Sequence, residues 1–213
     1  MNASDALDSI WQRAGLPPEA LQQARLTGED PVLPSSFAVG AAAQSSIAAA
    51  ALAACELGHL RGAGRQEVAV DMRHAALDCT GWFSLDGRVP ELWDSFSGLY
   101  RCADGWVRIH ANFAHHRDGA LRLMKLDPAT ATRAEAEAAM ATWRALDFED
   151  AAAAQGLVAT ALRRFDEWDA TPQGRAIAAQ PLFTIERIGD APPRVLPPLR
   201  EDQRPLEGCA RST

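Results

Sequence analysis

Apolar and polar positions alternate along the chain in two periods, and helical spacing dominates. The pattern predicts a short helix over residues 6–13, closed by Gly15 and the Pro17-Pro18 pair, then a second over 18–25 that opens on proline at a tolerated first-turn position. Gly28, Pro31 and Pro34 break the pattern and mark 27–34 as a loop. A long alanine-rich helix follows over 37–59, apolar nearly all round and so expected to be buried, with a Gly-rich exit at 58–64. Residues 67–72 alternate, with Val68 and Val70 on one side, and read as a strand; 74–82 reads as helix. The strongest two-residue period lies over 98–111. There Leu99-Tyr100-Arg101-Cys102 and Trp106-Val107-Arg108-Ile109-His110 flank Ala103-Asp104-Gly105, whose Asp-Gly step is a hairpin signal. Helices are then expected over 116–125, 133–146, 148–164 and 172–180, the last with Thr171 as N-cap and Pro172 at the first position. Residues 183–188 read as a final strand. Residues 190–208, with Pro192, Pro193, Pro197, Pro198 and Pro205, read as an extended, exposed linker. The pattern as a whole predicts an α/β fold, mostly helical, with one small sheet built from 67–72, the 99–111 hairpin and 183–188.

Composition narrows the classes. At 213 residues and 47% apolar, the chain can bury one substantial core. Its formal charge of −7 argues against nucleic acid as the main partner, because phosphate neutralisation needs clustered Lys and Arg. Cys55, Cys79, Cys102 and Cys209 show no CxxC spacing, which fits reduced thiols and a cytoplasmic setting. Asp5 and Asp8 stand where a signal peptide would carry basic residues. The most apolar stretch, 41–57, is interrupted by Gln44, Ser45, Ser46 and Glu56. We expect it to be too broken to span a bilayer, and the protein to be soluble.

Other constellations have plain structural readings. His110, His115, His116 and Asp118 match no standard zinc spacing, and adjacent histidines on a helix are expected to diverge; no metal is expected. The tryptophans, Trp11, Trp82, Trp93, Trp106, Trp143 and Trp168, are scattered and read as core. Arg73 and the pair Arg163-Arg164 could meet a phosphate or lie on solvated helix faces. Gly62-Ala63-Gly64 is too short for a phosphate loop.

Four stretches, taken in order, resemble the class III CoA-transferases, the CaiB/BaiF family. The first is the small-residue helix from Gly40 with its continuation Gly64-Arg65-Gln66-Glu67-Val68-Ala69-Val70-Asp71-Met72. The second is the hairpin from Gly98 to Ala111, and the third is the Pro172-Gln173 step after Trp168. The fourth is Arg204-Pro205-Leu206-Glu207-Gly208, similar to the phrase that precedes the family's first nucleotide-binding strand. The resemblance implies the leading, degenerate half of a longer protein, with an N-terminal helical segment over 1–33, a partial family domain over 34–190 and a Pro-rich linker and tail over 191–213. It implies a homo-oligomer that handles coenzyme A or an acyl-CoA as substrate, with no covalently bound cofactor and no membrane partner.

Family members attack the thioester with an aspartate, because only a carboxylate yields an anhydride reactive enough to pass the acyl group on. That aspartate lies four residues before the glycine that opens the alanine helix, and counting back from Gly40 places Ser36 there. Serine would form a far less reactive ester, and it suits a helix N-cap, at about 1 kcal/mol. Asp30, the nearest upstream carboxylate, belongs to the loop. The family's Gly-rich loop corresponds to 94–98, which holds one glycine, Gly98. The resemblance therefore implies a catalytically degenerate, structural half. His110, Asn112 and Gly98 are the residues expected to line a shared acyl-CoA cleft. Two competing readings are a non-enzymatic helical module that binds an acyl chain or a protein, and a hydrolase using Ser36.

Overall fold

The fold was derived from a computed structural model, which describes residues 2–81, 83–192, 195–200 and 202–208. Trp82, Pro193 and the tail from Cys209 onward, on which expectations above partly rest, lie outside the described residues. Helices and short strands mix, about 42% and 10%, as the patterning predicts for an α/β fold rich in helix. The chain divides into two units, one comprising Met1–Ser84 with Pro181–Thr213 and the other Leu85–Gln180. The family resemblance implies breaks at 33/34 and 190/191 instead.

The first unit begins with α1 (Ala3–Arg13), whose start is fixed by a capping box between Asn2 and Asp5. A short 3-10 helix, Pro18–Gln23, leads into β1 (Ala24–Thr27). The helix expected over 18–25 therefore gives way to a strand in its second half. The reason is tertiary: β1 pairs in parallel with β2 (Val68–Asp71), Leu26 opposite Val70. A parallel pair needs a long crossover, and α2 (Val39–Leu60) supplies it. Trp11, Leu52, Leu7 and Ala48 pack with Val68 at the centre of this unit, and the Trp11 indole N–H donates to Pro17 O at 2.8 Å. By length and composition α2 is apolar enough to cross a membrane, contrary to the expectation from its polar interruptions. Here it packs on α1 and on α3 (Met72–Cys79), with Gln44, Ser45 and Glu56 buried, as a core helix does.

The segment expected to be a free linker is anchored. Arg61, 4% exposed, donates to Pro197 O, Pro205 O and Glu207 O at 3.0, 2.7 and 2.9 Å, and its own carbonyl accepts from Leu199 N. Gly58 presses so close to Pro205 that a Cβ would sit 2.8 Å from the ring. Residues 183–188 form no strand; Ile185 and Ile188 are exposed, so the sheet expected to include them is not built.

The second unit holds the hairpin as expected, β3 (Gly98–Arg101) antiparallel to β4 (Trp106–Ile109), closed by Cys102 N–H to Gly105 O. Its third strand, β5 (Ala159–Ala161), pairs antiparallel with β4 and was read as helix. Gly156, at φ +68°, ends the preceding helix, and 157–162 turns back onto the hairpin. Around the sheet lie α4 (Ala114–Leu123), α5 (Arg133–Met140), α6 (Ala145–Ala153), α7 (Phe165–Asp169) and α8 (Pro172–Ala178). The single helix expected over 133–146 is split, because Asp104 in the hairpin turn accepts from Ala145 N at 2.8 Å and pairs with Arg144 at 3.0 Å. That contact satisfies the first free N–H of a new helix start, at a place where no Gly or Pro marks a break in the sequence. Thr171 caps α8 through Gly174 N, as expected. One face of the sheet packs with Phe148, Leu121 and Met140 around Tyr100, Val107 and Ile109.

Candidate functional site

In open α/β sheets, ligands bind beyond the carboxyl ends of the parallel strands. A cavity of about 530 Å³ occupies that place in the first unit. Leu26 and Gly28 leave β1 into its wall, Met72 follows β2, Gln44 faces it from α2, and Glu29 and Asp30 come from the intervening loop. The carboxamide of Gln44, 1% exposed, donates to both strand ends, to Thr27 O at 2.8 Å and Val70 O at 2.7 Å. It locks the helix to the pair of strands.

The start of α2 is built differently from the expectation. Ser36 is exposed and is not the N-cap; Ala38 holds that position without a side-chain bond, while Ser35 Oγ accepts from Phe37 N. The capping group is Asp30, reaching back ten residues in sequence. Its two carboxylate oxygens accept from Gly40 N at 3.1 Å and Ala41 N at 2.9 Å, one oxygen for each of two otherwise unpaired N–H groups. Gly40 is what permits this: a Cβ there would collide with the Asp30 carboxylate and press on the Met72 sulfur. The negative charge also sits at the positive end of a 22-residue helix. Asp71 acts similarly for α3, accepting from His74 N, and that bond holds its carboxyl below the usual range.

Three of the residues expected to line a cleft lie in the second unit, whereas Ser36 lies in the first. Asn112 is a clamp. Its Oδ1 accepts from Asp94 N and Ser97 Oγ at 3.0 and 2.9 Å, and its Nδ2 donates to Leu92 O at 2.8 Å. Arg133 fastens the same loop from the other end, donating to Ser95 O, Ser97 O and Leu99 O while its guanidinium lies 3.9 Å from the Tyr100 ring centroid. Tyr100 adds a bond from its hydroxyl to Phe96 O at 2.7 Å. Gly98, at φ +134°, gives the loop its exit into β3 in a conformation that side chains rarely adopt. The 94–98 loop is thus pinned by three side chains. No sequence signal marks Arg133, because its partners are backbone carbonyls some 34 to 38 residues away.

His110 belongs to an aromatic row. Its ring stacks on Phe113 at 6.1 Å and meets the edge of Trp93 at 5.6 Å. His115 and His116 do not diverge: their ring centroids are 4.0 Å apart, and Phe113 touches both. Burial, with His115 and His110 as like-charged neighbours, lowers the His116 pKa and so favours its neutral ring. Among the described residues no three His, Cys, Asp or Glu side chains are placed to hold a metal ion. Of the arginines weighed as phosphate ligands, the pair is occupied by carboxylates, Arg163 by Glu149 and Arg164 by Asp166 and Glu167.

No family model and no curated protein is similar to this chain in sequence. Solved structures share its fold. The hypothetical protein Rv3272 from Mycobacterium tuberculosis superposes with a TM-score of 0.54 at 19% identity, over 79% of this chain and 62% of that one. An aspartate-to-alanine variant of Rv3272 gives 0.57 at 20% identity, over 88% and 67%. An orthorhombic form gives 0.53 at 18%, over 92% and 57%. The chain thus spans roughly three fifths of the length of the structures it matches, and the likeness is one of fold.

Proposed function

We propose that the chain is the structural half of a protein of the class III CoA-transferase type, contributing a scaffold and no acyl-accepting carboxylate. The observation that carries this reading is the start of α2. A hydroxyl, Ser36, stands at the position that the resemblance assigns to the nucleophile, and the nearest carboxylate upstream in sequence, Asp30, has one oxygen on each of two backbone N–H groups. A carboxylate with both oxygens engaged by backbone donors would have to give up the helix cap before it could attack a thioester. The pinned 94–98 loop, which brings one glycine where the family has several, supports the same reading. CoA or an acyl-CoA is the ligand of the whole assembly, and a homo-oligomer is its expected state.

The second reading is a non-enzymatic module that accepts an acyl chain or a partner helix; the cavity beside Leu26 and Met72 favours it. Calorimetric titration separates the two. The first reading predicts saturable 1:1 binding of a medium-chain acyl-CoA, displaced by free CoA. Displacement by the free fatty acid, with free CoA inert, would replace the first reading with the second.

A further inference from the structure

The tryptophans expected in the core are not all there: Trp93 is 56% exposed and Trp106 is 40% exposed. Both lie on the face of the β3-β4-β5 sheet opposite its core. Alternation leaves Leu99, Arg101, Trp106 and Arg108 outward, and Leu162 extends the face beside Trp106, its N–H bonded to Trp106 O at 2.8 Å. Arg101 lies over the Trp106 ring at 5.8 Å, and Arg108 over the Trp93 ring at 5.4 Å. Stacking orients each guanidinium while leaving its N–H edge open to a partner. Leu99 and Leu162 are 49% and 64% exposed, so the patch is apolar between its charges.

The residues named here, Trp93, Leu99, Arg101, Trp106, Arg108 and Leu162, have the composition of an interface centre, rich in Trp and Arg. Its charge selects the occupant. Two copies meeting face to face would set arginine against arginine, which disfavours self-pairing through this surface. A nucleic acid would be repelled by a chain of net charge −7 and would leave the two leucines unused. We infer that the outer face of this sheet docks a different polypeptide, one that presents carboxylates framed by apolar side chains. Arg101 and Arg108 receive the carboxylates as charge-assisted pairs, and Leu99, Trp106 and Leu162 take the apolar contacts.

The test is fluorescence anisotropy with the full chain and short labelled amphipathic peptides, one bearing leucine and glutamate and the other leucine and lysine. The glutamate peptide is expected to bind saturably and to weaken by at least about tenfold in R101E/R108E. The lysine peptide is expected to bind that variant and not the wild type. Circular dichroism checks the fold, and R108Q serves if the double reversal disturbs it. The inference is overturned if the glutamate peptide does not saturate, if the lysine peptide binds the wild type equally, or if the variants bind unchanged. Tighter binding of an oligouridine, or a dimer in sedimentation that R108Q abolishes, would likewise overturn it in favour of nucleic acid or a second copy.

Discussion

Tyr100 is the only tyrosine in the chain, which makes its ionisation directly visible. Burial pushes its phenol up to about 12, although the Arg133 guanidinium beside the ring works in the opposite direction. A raised folded-state value means that the neutral phenol stabilises the fold fully below the unfolded value near 10. The contribution is lost as pH rises from there toward 12. Absorbance at the phenolate band should therefore stay flat through pH 10 and rise near 12; a midpoint near 10 would show that the ring is not enclosed by the sheet and Arg133. Asn112 and Gly98, expected by position to line a cleft, hold the 94–98 loop in this fold. Their types are as suitable for binding a ligand as for holding backbone. The distances to Asp94 N, Ser97 Oγ and Leu92 O are what reveal the structural role of Asn112.

Among the elements, the cap of α2 bears most on function. Asp30→Ala removes the acceptor for two N–H groups and should cost about 1–2 kcal/mol in urea unfolding, whereas Ser36→Ala should stay within about 0.5 kcal/mol. Equal costs would restore Ser36 as the cap. Sequence periodicity located α2, β2, the hairpin and α8 closely, since each is fixed by local signals: an alanine run, alternation, an Asp-Gly turn, a Thr-Pro start. It missed β1 and β5, strands of four and three residues whose only reason to be extended is the neighbour they pair with. It likewise merged α5 into the start of α6, because the break is imposed by Asp104 from across the hairpin. The Asp30 cap was hidden for the same reason, being a contact between residues ten apart through a loop.

For the molecule as a whole, the 181–208 region returns to the first unit rather than leaving it, and Arg61 is the tie. Arg61→Ala should remove the bonds to the Pro197, Pro205 and Glu207 carbonyls, costing about 2–4 kcal/mol, and trypsin should then cut after Arg200 several-fold faster. Unchanged cutting there would mean that the segment is held by something else. The fold is shared with solved structures over roughly three fifths of their length, and the role proposed for the chain is that of a half that supports chemistry without performing it. That account depends on there being no carboxylate in this chain able to accept an acyl group from a thioester. The direct measurement is intact mass and peptide mapping after incubation with an acyl-CoA, with and without hydroxylamine. The account predicts an unmodified chain in both cases. An acyl or CoA adduct, or a hydroxamate, mapped to Asp30 would contradict it, and one on Ser36 would replace it with a hydrolase.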